Sequence, residues 1–196
     1  MKKSILLIST VCAAACIFSS CKSCDKKKTT VYEDLNAMLA ENYSQISISI
    51  NNTFTEENIT LESVYTVKYA QSEITVDYSV ERFAEFTLEN PTTEVKKKYN
   101  GTAVIVGGII SGGEEVGLTA DIARLKLDFN ESYFENAEYS NTLFSADVID
   151  ASGFLGTQLT CTDMHVEAKF SEVFSSIEIT YSQDGHEVKY SYVFNS

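Results

Sequence analysis

Period-two alternation of apolar and polar residues, sustained over most of the chain, is the feature that most narrows its fold. The longest run places Ile74, Val76, Tyr78, Val80, Ala84, Phe86 and Leu88 on one parity and Thr75, Asp77, Ser79, Glu81, Glu85 and Thr87 on the other, with only Arg82 and Phe83 breaking it. Successive strand side chains point to opposite faces, so such a run gives one face to a core and the other to water. Ile46, Ile48 and Ile50 alternate with serines, and Ile59, Leu61, Tyr65, Val67 and Tyr69 alternate with polar residues. Toward the C-terminus, Tyr133–Tyr139, Leu143–Ile149 and the set Met164, Val166, Ala168 and Phe170 read as further strands. Ile177, Ile179 and Tyr181, the turn Gln183-Asp184-Gly185-His186, and Val188, Tyr190, Tyr192 and Phe194 form the clearest hairpin. Strand follows strand through turns too short for crossover helices, which predicts a mainly β, antiparallel fold.

The middle of the chain is less regular. Pro91, within Glu89–Thr93, ends the long strand. Val95–Tyr99, Asn100-Gly101 and Thr102–Val106 predict a hairpin, because Asn-Gly supplies the positive φ angles of a type I′ turn. Gly107, Gly108, Gly112 and Gly113 then predict a flexible loop; it lacks the GxxxxGK[ST] order of a phosphate cradle. Ala120–Lys126 is open between a short helix and the lead into a strand of Leu125, Leu127 and Phe129, and Phe154-Leu155 reads as an apolar turn flanked by Gly153 and Gly156.

Helical periodicity occurs at one place. Val31, Tyr32, Leu35, Met38, Leu39 and Tyr43 recur at intervals of three and four, and Thr30 with Glu33 matches a capping box. The spacing predicts one amphipathic helix over 31–45, whose stripe must bury itself against the sheet.

The N-terminus carries an address. Lys2 and Lys3 precede an apolar segment, Ser4–Ile17, of about 14 residues, short of the roughly 20 that a spanning helix needs. Phe18-Ser19-Ser20-Cys21 resembles the lipobox of bacterial lipoprotein signal peptides, although Phe18 stands where an aliphatic residue is usual; Ala13-Ala14-Ala15-Cys16 is a competing match that would shorten the apolar segment. The resemblance implies a signal peptide over 1–20, acylation of Cys21 (palmitate among the chains attached), and retention at the extracytoplasmic face of a bacterial membrane. Residues 21–30, with four lysines, read as a polar tether, and 31–196 as a single β-rich domain.

Charge and chemistry narrow the function. Lys and Arg number 15 against 28 Asp and Glu, for a net charge of -13, and such a chain is repelled by phosphate backbones, so nucleic acid is not an expected partner. With the six lysines and one aspartate that precede residue 31 set aside, the -13 becomes -18 for the domain. Only Cys24 and Cys161 lie beyond the expected acylation site, they are not in CxxC spacing with each other, and two histidines build no zinc cluster. Cys161 is expected to be a small buried hydrophobe.

His165 and His186, the histidines a Ser/His/Asp triad would need, are expected at the surface, on an outward strand position and in a hairpin turn. Asp77, Glu81 and Glu85 share a polar strand face, and the acids around Asp147 and Asp150 lack the spacing of a calcium loop. No catalytic signature, cofactor or metal is read from the sequence.

A tether, one helix and long alternating antiparallel strands resemble the LolA-like and LppX-like family of exported lipid-handling proteins. The resemblance implies a strongly curved sheet of half-barrel type with the helix closing its concave face, and a non-enzymatic binder or carrier of an apolar ligand, such as a lipid. Leu35 and Met38 of the helix stripe, with Tyr65, Tyr78 and Phe86 of the sheet, are the candidate ligand contacts. The alternative is an anchored interaction or structural module that binds another envelope protein. An apolar-lined space of several hundred cubic ångströms would favour the binder, and a filled core the module.

Overall fold

The computed structural model describes residues 31–54, 59–85 and 93–196. Cys21, Cys24, Phe86, Leu88 and Pro91 therefore lie outside the described residues. The architecture is one ten-stranded, open, antiparallel sheet of half-barrel type, with spatial order β5-β4-β3-β2-β1-β10-β9-β8-β7-β6. The strands are β1 Gln45–Phe54, β2 Ile59–Tyr69, β3 Ile74–Glu85, β4 Thr93–Val106, β5 Ile109–Ser111, β6 Phe134–Tyr139, β7 Leu143–Val148, β8 Thr162–Phe170, β9 Phe174–Gln183 and β10 His186–Asn195. The first strand pairs with the last, so two meanders meet at β1 and β10 in the middle of the sheet. Residues 31–39 form helix α1, and Ala151–Leu155 form the short helix α2.

Alternation sorts the faces as the sequence predicts. Ile46 and Ile48 of β1, Val67 of β2, Val76 of β3, Val166 of β8 and Ile177 and Ile179 of β9 are buried on the covered face. The opposite face carries rows of cross-strand polar pairs. Lys68 donates to Asp77 at 2.7 Å, Thr102 donates to the same carboxylate at 2.8 Å, Lys189 pairs with Glu178 at 2.8 Å, and Lys98 pairs with Glu81. Asp184 and Gly185, at φ 48° and 78°, make the β9–β10 turn that Asp-Gly predicts.

The sheet's topology sets one further demand. β5 and β6 are consecutive in sequence but lie at opposite edges, so residues 112–133 must return across the whole sheet. They do so over the covered face. Glu115 in this strap accepts from the Tyr78 hydroxyl, and Tyr69 Oη donates to the Ala123 carbonyl at 3.0 Å. Beyond the sheet's middle the strap meets α1, where the Asn36 amide donates to the Phe129 carbonyl at 2.9 Å and accepts from the Phe129 N–H at 2.9 Å. Where the strap has no ladder, the Asn36 side chain thereby satisfies both backbone polar groups of Phe129. The Phe129 ring then sits among those of Phe134, Phe144, Phe154 and Phe174, at centroid distances of 5.5–5.9 Å.

Several expectations are corrected. The helix stops at 39 instead of 45, because Tyr43 folds back to donate to the Met38 carbonyl at 2.8 Å and the Ser44 N–H joins the Asn195 carbonyl at 2.9 Å. Pairing with β10 takes those residues from the helix, while Tyr43 keeps its buried place. Asn100-Gly101 is not a turn; β4 runs straight through it, in register with β3 from Ile74↔Ile105 to Arg82↔Lys97, before a one-residue shift to Phe83↔Val95. Gly101 faces Tyr78, and a Cβ there would collide with the tyrosine ring, so the glycine admits a ring crossing toward Glu115.

The hairpin lies at Gly107-Gly108, both at positive φ, and β5 occupies part of the supposed loop. Leu125, Leu127 and Phe129 belong to the strap and not to a strand, preceded by a 3-10 turn at Ala120–Ala123. Phe154-Leu155 closes α2, which Asp150 caps by accepting from the Gly153 N–H at 2.8 Å. Cys161 is a free thiol, half-buried instead of buried, and partial burial raises its pKa.

Removing the ring at the strap's anchor should be the costliest single change. Phe129→Ala should destabilise by about 3–5 kcal/mol, as a fully buried phenyl leaves a cavity, and Val76→Ala by about 1.5–3 kcal/mol. Thr75→Ala, on the outer face, should stay within about 1 kcal/mol. Chemical denaturation of the three variants measures this ranking.

Candidate functional site

Where α1 leaves the sheet, a cleft of about 600 Å³ opens along its flank. The helix supplies the apolar wall, Val31, Leu35 and Met38, at the three- and four-residue spacing that keeps them on one side. Leu35 is anchored in the core while Val31 and Met38 are half-buried, so the stripe is only partly consumed by packing. The facing wall comes from two hairpin turns: Tyr139 with Ser140 and Asn141 between β6 and β7, and Phe170 with Ser171 between β8 and β9. The Phe170 ring stands edge-on to buried Phe174 at 6.1 Å, which fixes its orientation, whereas Tyr139 is 39% exposed. Asp34 completes the rim and is the single ionisable side chain among the described lining residues other than the tyrosine phenol. A volume in the range of small-molecule sites, aromatic and aliphatic walls, and a few polar groups at the mouth are the ingredients of a pocket for an apolar guest.

Leu35 and Met38, two of the candidates read from the helix stripe, thus line one cleft. Tyr65 and Tyr78 do not join them. Both are buried in the sheet's other half, where Tyr78 serves the strap through Glu115. Phe86 lies outside the described residues. The sequence reading missed Asp34, Tyr139 and Asn141, and it placed Phe170 only as a strand residue. Residue 139 is more than a hundred positions from the helix, and only the sheet's topology brings its turn beside α1.

Elsewhere the covered face is well filled. A smaller cleft of about 250 Å³ remains beside Leu39, Ile46 and Leu125, and one of about 120 Å³ between Ile50, Tyr192 and Arg124. Tyr181, Tyr190 and Tyr192 stack in a row, at centroid distances of 6.2 and 6.3 Å, and burial raises the hydroxyl pKa of Tyr181 and Tyr192 well above the ordinary tyrosine value.

The outer face holds a hydrogen-bonded chain. The Asn136 amide donates to Asp147 at 2.9 Å, His165 Nδ1 lies 2.8 Å from Asp147 Oδ1, and His165 Nε2 lies 3.0 Å from Ser145 Oγ. His165 is outward, as expected, but it is joined to a carboxylate and a hydroxyl that sequence distance concealed. The order is that of a nucleophile relay. Its side chains stand 44% and 47% exposed at His165 and Asp147, on a sheet face whose strand amides lie in the sheet plane and do not converge on an oxyanion above Ser145. Among the described residues no group of three or more His, Cys, Asp or Glu is arranged to hold a metal ion. Asp147 serves this relay and Asp150 caps α2.

In comparisons with known proteins, the chain matches no family model and no curated sequence.

The relay gives a pH signature. The Asn136 amide, then His165, hold Asp147 below its ordinary carboxylate pKa. A carboxylate titrating lower in the folded than in the unfolded chain adds stability that is present above the unfolded value of about 3.9 and lost as pH falls through the native one. Urea unfolding should therefore show the protein losing stability below about pH 4, with a shallower loss in Asp147→Asn.

Proposed function

We propose that the chain is a lipid-anchored extracytoplasmic protein that binds a hydrophobic ligand in the cleft between α1 and the β6–β7 and β8–β9 turns. The observation that carries this reading is the cleft itself, an open space of about 600 Å³ walled by Val31, Leu35, Met38, Tyr139 and Phe170. Burying apolar area there drives binding at about 25 cal/mol per Å² before the costs of association, and fixed aromatic walls keep those costs low. Position supports it as well: the cleft begins at Val31, ten residues after Cys21, so an acyl anchor on Cys21 would hold its mouth close to a bilayer. No helix among the described residues is long and apolar enough to cross a membrane.

A second reading, the interaction module, draws on the opposite edge of the sheet. There Ile109 is 76% and Val106 54% exposed beside a strand of three residues, an apolar edge that another protein's strand could cover.

Two experiments test the reading. A neutral fluorescent probe, N-phenyl-1-naphthylamine, should bind the purified protein saturably, and Met38→Asp should weaken it about tenfold or more while a cooperative thermal transition, at somewhat lower temperature, shows that the half-buried site still folds. Separately, Cys21→Ala should abolish incorporation of labelled palmitate and leave an unprocessed precursor. Labelling that persists in Cys21→Ala and vanishes in Cys16→Ala would move the anchor to Cys16.

A further inference from the structure

We propose that the cleft selects an amphiphile with a cationic, quaternary-ammonium head over neutral or anionic chains of the same length; the inference rests on the ligand-binding reading above and names its ligand class. The lining of the cleft combines two recognition elements. Tyr139 and Phe170 line it with aromatic rings, and a quaternary ammonium is drawn to the negative face of such rings while demanding no hydrogen bonds. Asp34 adds a carboxylate to the same lining, whose other polar members, Ser140, Asn141 and Ser171, are neutral.

The surroundings favour the same sign. The lining includes no Lys or Arg among the described residues, and Glu33, Glu138 and Glu172 flank its members in sequence. Lys169, next to Phe170, is turned away to Glu167, with Nζ 2.9 Å from Oε1. The domain's net charge of -18, once the lysines and aspartate before residue 31 are removed from -13, extends the anionic field beyond the rim. A carboxylate or phosphate head would enter against all of these charges, whereas a diffuse cation loses little hydration and gains their attraction. The apolar tail lies along Val31, Leu35 and Met38, where the helix stripe is open.

Displacement of N-phenyl-1-naphthylamine from the full-length protein by decyltrimethylammonium, decanol and decanoate, at low ionic strength and below micelle formation, tests the assignment. All three tails match, so differences report the head. The cation should bind about fivefold or more tighter than decanol, the factor given by one charge pair at about 4 Å in water, and decanoate weaker than either. Asp34→Asn and Tyr139→Leu should each shrink the ratio of cation to decanol affinity measured on the same variant, and added salt should shrink it in the unaltered protein. A cation that binds no tighter than decanol overturns the assignment but leaves an apolar site. A preference for decanoate, as the tether lysines Lys26–Lys28 would produce if they governed the mouth, overturns it equally. If none of the three displaces the probe, the binding reading itself falls.

Discussion

The return of the chain from one edge of the sheet to the other is the constraint on which the rest of this structure depends. A ten-stranded open sheet built from two meanders has its two innermost strands at the ends of the domain and its outermost strands adjacent in sequence. The connection between β5 and β6 must then cross a face that has to be covered anyway. The strap at 112–133 meets both needs, and its fixation is concentrated at Phe129, where four phenyl rings and the two hydrogen bonds of Asn36 converge. Edge-to-face and offset ring pairs add about 0.5–1.5 kcal/mol each beyond area burial. This junction therefore holds α1, the strap and the second meander as one unit.

That junction also explains why the cleft exists. Tyr32 and Leu35 face inward, with Tyr32 stacked on Phe134 at 5.8 Å and set edge-on to Phe144 at 5.8 Å, so the helix is pinned along one line. Its neighbours on the stripe, Val31 and Met38, are only half-buried, and they line the cleft where β6 turns at Tyr139–Asn141 and β8 at Phe170–Ser171. Strands that ended one turn later would fill the gap. The space is a consequence of hairpin lengths set against a helix whose position is fixed elsewhere, which is how a filled core and an open apolar slot coexist in one domain.

What the sequence disclosed and concealed follows one physical division. Period-two alternation is a local property, so strands such as Ile74–Glu85, Thr162–Phe170 and the β9–β10 hairpin were legible with their buried faces. Asn100-Gly101 misled because turn chemistry states only that a turn is permitted there. A continuous partner, β3, decides whether it is made, and Gly101 instead gives room to a tyrosine ring. Leu125, Leu127 and Phe129 alternate as a strand does because they too press one face on a core, but no neighbouring strand offers them a ladder. For the site, the helix stripe yielded Leu35 and Met38, while Tyr139 and Asp34 had no local mark. An aromatic in a hairpin turn and an acid on a helix's exposed side acquire meaning only when topology sets them side by side.

The distribution of charge links the site to the expected anchor. Residues 31–196 are strongly acidic, while the ten residues before them carry four lysines against one aspartate. Near an anionic leaflet each basic residue attracts by about 1 kcal/mol, supplementing an acyl chain that binds only marginally alone. Under the proposed anchoring, the same leaflet would repel the domain, so the tether and the body would pull in opposite senses about the junction at residue 31. This is where α1 and the cleft begin. If Cys21 carries the proposed anchor, a domain held by its tether and pushed off by its own charge would present that junction toward the bilayer and turn the exposed β5 edge elsewhere. An amphiphile leaving such a membrane would then meet the mouth of the cleft before any other apolar surface, and for one whose head carries positive charge the domain's own negative charge would offset part of the attraction of the leaflet it leaves.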